Sequence, residues 1–250
     1  MRKLGVVLAA ALLVVAWLGR PGQGQTQVDT AAIRLQTALR YMAMGWMAEA
    51  REHLQQAVRL APRHVEARVL LAMSYHADGL LDQALTHYRV AVALDPELAA
   101  LRVLMGEIYL SLGMLAEAEA EYAAALASDE GAGWAYYGLG RVRQARGDGD
   151  AEEMYQAAVT HAPDLLDARL RLGRLLRDRG QAEEALAHLL HAQRLDSRLP
   201  AVRLELGLTY ELLGRIAEAE HEYRMVLQMD PANVEARHRL GMLEAAQGDT

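Results

Sequence analysis

The sequence predicts an all-α solenoid of stacked antiparallel helix pairs, because three sets of residues recur along it at a nearly constant step. Seven glycines follow one another at intervals of 34, 34, 34, 33, 34 and 34 residues: Gly45, Gly79, Gly113, Gly147, Gly180, Gly214 and Gly248. An alanine follows each of the first six: Ala50, Ala84, Ala118, Ala151, Ala185 and Ala219. Four prolines separate the units: Pro62, Pro96, Pro163 and Pro231. A fixed period of this length is typical of repeats that bury their apolar faces only by stacking.

Each repeat is expected to form a helical hairpin. The glycine ends the first helix and takes the left-handed conformation of a tight turn, whereas the proline ends the second helix. A column of small residues lies on the first helix: Ala38, Ala72, Gly106, Gly140, Gly173, Gly207 and Gly241. A column of large residues lies on the second: Leu54, Tyr88, Tyr122, Tyr155, Leu189 and Tyr223. The small residues let the two helix axes approach closely, and the large ones fill the space beside the contact.

In chain order, the pattern predicts six complete repeats and a seventh first helix. The repeats are 31–64, 65–98, 99–132, 133–165, 166–199 and 200–233, and the final helix covers 234–250. The fourth repeat is irregular, since Gly131, Ala132 and Gly133 replace the proline joint and the turn after Gly147 is expected to be one residue short. The final helix is either a polar cap on the array or the point of a truncation, and the sequence leaves both interpretations open.

The N-terminal segment has the order of a signal peptide. A short basic start is followed by an apolar run from Leu4 to Gly19 and then by small residues, and we expect cleavage after Gly24. Residues 1–24 are therefore interpreted as a signal peptide and 25–30 as a linker, which predicts a periplasmic or secreted protein. The alternatives are an uncleaved inner-membrane anchor formed by residues 4–19, which is the one membrane association that we expect, and a buried helix.

Composition excludes several function classes. The chain has no cysteine, which rules out disulfides, thiolate zinc sites and cysteine nucleophiles. Its net charge of −7 argues against nucleic acid as a partner, because neutralising phosphates requires a basic face. Hydrophobic residues make up 52% of the chain and charged ones 24%, so it is expected to fold.

The chain carries no catalytic motif. It lacks a phosphate-binding loop, a nucleophile elbow and an HExxH metal motif. His188 and His191 lie three residues apart on a second helix, but a metal ion needs further ligands, so we interpret them as surface histidines and a metal carrier as the weakest alternative. The sequence predicts no enzyme activity, no cofactor and no metal site.

The columns resemble those of tetratricopeptide repeats over about 220 residues. The stretches from Val65 to Pro96 and from Leu204 to Pro231 carry the resemblance, which implies a right-handed superhelix whose first helices line a concave groove. Where the family often has tryptophan early in the first helix, this chain has Tyr136 in the fourth repeat and arginine elsewhere: Arg34, Arg68, Arg102, Arg169, Arg203 and Arg237. We interpret these arginines as a structural column; the alternative is a ladder that binds phosphate or acidic ligands.

The resemblance also implies which residues face the groove. Its N-terminal half is apolar, through Leu35, Leu39, Val69 and Met73, so the family's carboxylate clamp is absent. Its C-terminal half is aromatic and basic: Trp134, Tyr137, Arg141, Gln144, Arg174 and Arg177. Tryptophan, tyrosine and arginine dominate binding hot spots, which makes the fourth repeat the best candidate. In the structural alternative, the aromatic residues pack between repeats and the arginines pair with nearby carboxylates.

The prediction is therefore a non-enzymatic scaffold or assembly factor that binds a protein or peptide segment in its groove, in the biogenesis of a bacterial cell envelope. The alternative is a regulatory or adaptor subunit of an envelope enzyme complex.

Overall fold

The computed structural model describes residues 27–248, and within that range it contains thirteen α-helices and no strand. The predicted signal peptide, residues 1–24, lies outside the described residues. The chain divides into two compact units, one up to Glu130 and one from Gly131 onward.

The first unit contains three helical hairpins. Its helices are α1 (Gln27–Ala43), α2 (Met47–Leu60), α3 (Val65–Ala77), α4 (Leu81–Leu94), α5 (Ala99–Ser111) and α6 (Leu115–Ser128). The second unit contains three more hairpins and one further helix: α7 (Gly133–Arg146), α8 (Ala151–His161), α9 (Leu166–Asp178), α10 (Ala182–Leu195), α11 (Pro200–Leu212), α12 (Ile216–Met229) and α13 (Val234–Gly248).

Within each unit, neighbouring helices pack in chain order. Each first helix packs against the second helix of its own repeat, and that second helix packs against the first helix of the next repeat. The α-solenoid is thus confirmed. None of the helices from residue 27 to 248 is long and apolar enough to span a membrane.

The turn glycines adopt the backbone conformation that the sequence predicts. The six from Gly45 to Gly214 have φ between 70° and 80°, a region that costs other residues about 1–2 kcal/mol. The second helices also end where the prolines indicate, since Ala61, Asp95, Ala162 and Asp230 are C-caps directly before them.

Two glycine-to-alanine substitutions are expected to have opposite effects on stability. Gly79→Ala places a side chain at φ +74° and is expected to lower the free energy of unfolding by about 1 kcal/mol. Gly241→Ala lies within α13 with no heavy atom within 4 Å of the added Cβ, and alanine favours a helix over glycine by about 1 kcal/mol. Urea denaturation followed by circular dichroism measures both; two changes of the same sign would contradict the assignment of turn and helix.

The small and large columns meet inside the hairpins. A Cβ added to Gly106, Gly140 or Gly207 would lie 2.4 to 2.6 Å from a ring carbon of Tyr122, Tyr155 or Tyr223, respectively. At Gly173 the obstructing group is the Leu189 side chain, at 2.7 Å. The close approach that the sequence predicts is confirmed, and in these repeats it requires the absence of a side chain.

The irregular fourth repeat differs from its prediction. The turn after α7 is not shorter: four residues, Gly147 to Asp150, separate α7 from α8, whereas three separate α1 from α2. The missing length is taken from α8, which has 11 residues where the other second helices have 14. Arg143 holds the longer turn, with ion pairs of 3.5 Å to both Asp148 and Asp150.

The arginine column is structural, as interpreted from the sequence. Arg68, Arg169 and Arg203 donate from Nε to the carbonyl oxygen six residues earlier, at 2.6 to 3.0 Å. Arg237 donates to the carbonyl oxygen of Pro231 from Nη2. These four side chains therefore fasten α3, α9, α11 and α13 to the joints that precede them.

Candidate functional site

Three of the predicted groove residues form an aromatic and cationic cluster on α7. Trp134 meets Tyr137 edge to face, with 6.0 Å between ring centroids, and 44% of Trp134 is exposed. The guanidinium carbon of Arg141 lies 5.5 Å from the Tyr137 centroid, a cation–π geometry. Tyr137 itself is buried. Trp134 is therefore the most exposed member of this cluster, Arg141 is half-buried, and Tyr137 is packed beneath them.

Gln144 joins this cluster to two neighbouring helices. Its Oε1 accepts a hydrogen bond from the Tyr155 hydroxyl at 2.8 Å and a longer one from Arg171 at 3.4 Å. Arg171 also donates to the Tyr137 hydroxyl at 3.3 Å. Burial raises the pKa of Tyr137, and it raises the pKa of Tyr155 to about 12. Both phenols stay protonated at neutral pH, so the Tyr155 hydroxyl remains a donor to Gln144.

A polar cavity lies between the first helices of the last repeats. It has a volume of about 560 Å³ and draws its walls from α9, α11 and α13. Its lining consists of Arg174, Arg177, Asp178, Glu205, Leu208, Glu211, Leu212, Glu235 and Arg239. The cavity therefore offers charges of both signs together with two leucines.

Ion pairs divide the arginines of this cavity into two kinds. Arg177 pairs with Glu205, and the exposed fractions of the two side chains are only 13% and 8%. Arg174 also reaches Glu205, at 3.5 Å, but 62% of its side chain is exposed. Burial raises the pKa of the Glu205 carboxyl, and the guanidinium groups of Arg177 and Arg174 oppose that rise. Arg177 thus compensates a buried charge, while Arg174 reaches solvent.

The apolar residues predicted to line the N-terminal groove are mostly packed away from solvent. Leu35, Val69 and Met73 have exposed fractions of 7%, 1% and 3%, and Leu39 is half-buried. Burial contradicts their description as an open apolar surface, because a partner cannot bury what the fold has already buried. The sequence pattern marks core and groove positions with the same residue types, so it does not separate the two.

Sequence reasoning missed Arg171, Glu205 and Arg239. They occupy one column at a step of 34 residues, where the second and third repeats have Leu70 and Leu104. This change from apolar to charged is the signal that identifies the column. Arg239 lies 3.4 Å from Glu211 across the cavity, so the column contributes to both polar regions of the second unit.

Among the described residues, no group of three or more His, Asp or Glu side chains is placed to hold a metal ion. Burial is the main cause of a lowered pKa at His188, whose Nδ1 is buried with no hydrogen-bond partner. What the site offers is recognition through arginine, carboxylate and aromatic groups.

Two sequence profiles match the chain, and both describe a tetratricopeptide repeat. One matches residues 35–99 and 204–250, and the other matches 75–135, so that together they span more than half of the chain. The chain belongs to the tetratricopeptide repeat family. This membership accounts for the hairpins, the turn glycines and the packing of the small and large columns.

Part of this tetratricopeptide repeat chain is similar in sequence to a curated protein. A curated relative, the protein CTR9 homolog of Arabidopsis thaliana, is 32% identical over 117 residues, which are 46% of this chain and 11% of the relative. This chain thus corresponds to a small part of that protein's length.

Solved structures resemble the tetratricopeptide repeat chain over more of its length. Pseudomonas aeruginosa PilF is 16% identical with a TM-score of 0.76, covering 86% of this chain and 99% of that chain. PilW, described as a type IV pilus biogenesis factor, is 22% identical with a TM-score of 0.69, covering 87% and 100%. YrrB, described as having an unusual peptide-binding site, is 22% identical with a TM-score of 0.59, covering 74% and 96%. At these identities, the likeness concerns the fold.

Proposed function

We propose that this tetratricopeptide repeat protein is a non-enzymatic scaffold that binds a segment of a partner protein on the first helices of its second unit. The observation that carries the proposal is the polar cavity of about 560 Å³ between α9, α11 and α13. It is open to solvent at Arg174. The exposed Trp134 and the guanidinium of Arg141 lie on α7 of the same unit.

The residues on α7 and the polar cavity contribute to binding in different ways. Trp134 provides apolar area, and Arg141 adds a cation held over an aromatic face, a combination that is common in binding hot spots. Arg174 provides a solvent-exposed cation at the cavity. Arg177 instead holds the buried Glu205 carboxylate, so its role is to position that group. A partner segment with carboxylates and an apolar anchor fits the cations of Arg141 and Arg174 together with the exposed Trp134.

The wider proposal is that the protein is exported and acts in assembly of the bacterial cell envelope. The order of charge and hydropathy in residues 1–24 supports export. The fold likeness to PilW, which is described as a biogenesis factor of type IV pili, supports an envelope role. YrrB supports peptide binding on the same architecture, since it is described as having a peptide-binding site.

The test is crosslinking of the protein to its partners in its own cell envelope, comparing wild type with Arg141→Glu/Arg174→Glu. We expect the double variant to lose the partner and keep its helicity, because the substitutions replace one exposed and one half-buried cation of the proposed binding surface by anions. Arg177 is left intact, since reversing its charge would place two carboxylates side by side in a buried position. Circular dichroism checks the fold.

A matched control makes the same change in net charge on second helices. Arg59→Glu/Arg194→Glu alters two exposed arginines on α2 and α10 and should leave partner recovery unchanged. Equal recovery with wild type and with Arg141→Glu/Arg174→Glu would refute the proposed site.

Sequencing the N-terminus of the protein from cells tests export: a mature chain beginning at Gln25 is expected.

A further inference from the structure

The turns of the first three repeats expose apolar side chains along one edge of the first unit. These are Met44, Trp46, Leu80, Leu112 and Met114, with exposed fractions of 62%, 54%, 38%, 48% and 38%. Each lies directly before or after a turn glycine. The second repeat contributes only Leu80, because Asp78 precedes its glycine. Because stacked hairpins turn at the same end, the five side chains follow one edge, which we call the turn edge.

Helix stability does not explain these residues. Trp46, Leu80 and Met114 are the N-caps of α2, α4 and α6, and none of them makes a side-chain capping hydrogen bond. An N-cap favours Ser, Thr, Asp or Asn and disfavours large apolar residues. The corresponding N-caps in the second unit, Asp150, Gln181 and Arg215, make no side-chain capping hydrogen bond either, but they are polar. The first three repeats therefore combine a poor cap with exposed apolar surface.

Packing within the repeat does not require apolar residues there either. Trp46 stacks on Tyr41 with ring centroids 5.8 Å apart. In the sixth repeat, Arg215 covers the equivalent ring of Tyr210, with its guanidinium carbon 4.7 Å from the centroid. An arginine can therefore take the place of the tryptophan against this tyrosine ring. Departures from local preference that bring no gain in the fold are typical of functional surfaces.

Charges beside the turn edge indicate the chemistry of its partner. Exposed carboxylates occupy the first turn of each second helix in this unit: Glu49, Asp82 and Glu117. Apolar side chains flanked by carboxylates match an amphipathic segment that carries apolar and basic residues. The same carboxylates disfavour an anionic membrane surface.

We propose that the turn edge of the first three repeats is a docking surface for a basic amphipathic segment of a partner protein. This surface belongs to the first unit, whereas the cavity belongs to the second, and it binds a partner of opposite charge to the one proposed there. Its existence does not depend on the groove.

The test uses two synthetic helical peptides with identical leucine patterns, one carrying lysines and the other glutamates. Binding to the full chain is measured by fluorescence anisotropy of the labelled peptide. We expect the leucine–lysine peptide to bind at least tenfold more tightly than the leucine–glutamate peptide. Trp46→Asp/Leu80→Asp/Met114→Asp should weaken its binding at least tenfold, with an unchanged or higher thermal midpoint because aspartate is a better N-cap.

Two further variants separate the turn edge from other surfaces. Glu49→Gln/Asp82→Asn/Glu117→Gln keeps the apolar side chains and should weaken binding of the leucine–lysine peptide while reducing its salt dependence. Gln181→Asp/Arg215→Asp changes the equivalent N-caps of the second unit and should leave binding unweakened. Equal affinity of wild type and the triple aspartate variant for the leucine–lysine peptide would overturn the proposal. Binding of the full chain to vesicles of anionic lipid is measured as well. If the triple aspartate variant lost binding to these vesicles but not to the leucine–lysine peptide, the proposal would also be overturned, and the turn edge would be assigned to a membrane.

Discussion

Replacing Arg177 by alanine is expected to lower the free energy of unfolding by about 3 kcal/mol, because it leaves the buried Glu205 carboxylate without its principal partner. Arg177 and Glu205 are both largely buried. Arg174 approaches the same carboxylate only at 3.5 Å and from a mostly exposed position, so it compensates little of the loss. Denaturant unfolding at neutral pH, followed by circular dichroism, measures the effect.

The loss should depend on pH in a defined direction. Burial raises the pKa of Glu205 in the folded protein, and removing Arg177 raises this pKa further. A folded-state pKa above the unfolded value means that the ionised carboxylate costs stability at higher pH, and that this cost disappears as the pH falls through the folded pKa. The deficit of Arg177→Ala is therefore largest at neutral pH and shrinks on acidification.

A double variant provides the control. Arg177→Ala/Glu205→Gln removes the unpaired charge together with its partner and should recover most of the lost stability. If Arg177→Ala alone has the stability of wild type at neutral pH, the ion pair contributes nothing and the description of Glu205 as a buried charge is wrong.

Gly140→Ala is the second substitution expected to have a large effect, lowering the free energy of unfolding by about 2 kcal/mol through overpacking. Its Cβ would lie 2.5 Å from Cε1 and 2.6 Å from Cδ1 of Tyr155. The ring is fully buried, and its hydroxyl is bonded to Gln144, so it cannot move aside without losing that contact. Thermal and urea denaturation both report this change.

The matched control is Gly149→Ala, in the turn of the same repeat, where no heavy atom lies within 4 Å of the added Cβ. It should leave the midpoint nearly unchanged. Gly140→Ala/Tyr155→Leu should recover part of the loss, since the first repeat carries Ala38 and Leu54 in these two columns. Equal midpoints for Gly140→Ala and Gly149→Ala would show that the small column does not face the large one.

The period and its columns predict the hairpins and turns because the same residue types recur at the turn and at the helix contact of each repeat. The sequence does not separate core from groove: Met73 and Arg174 occupy the same column, yet Met73 is 3% exposed and the Arg174 side chain 62%. It also misplaces the missing residue of the fourth repeat, since helix ends depend on side-chain partners such as Arg143, which a pattern does not reveal.

The ion pairs of the candidate site are also not predicted by the sequence, because they join residues that are distant along the chain. Arg174 and Arg177 look equivalent in the sequence, one helical turn apart. The structure shows that only Arg177 is enclosed with Glu205, a residue 28 positions away. The repeat step still offers a way to find such residues, because aligning the repeats exposes the polar column of Arg171, Glu205 and Arg239.

Four arginines of the column bond to a carbonyl six residues earlier, which has a consequence for how such arrays change in length. An inserted or deleted residue in the joint would carry the carbonyl out of reach of Arg68, Arg169, Arg203 or Arg237. The turns inside the hairpins already differ in length, since four residues separate α7 from α8 and three separate α1 from α2, and the ion pairs of Arg143 accommodate the longer turn. Evolutionary insertions and engineered tags are therefore expected to be tolerated at the glycine turns and rejected at the joints.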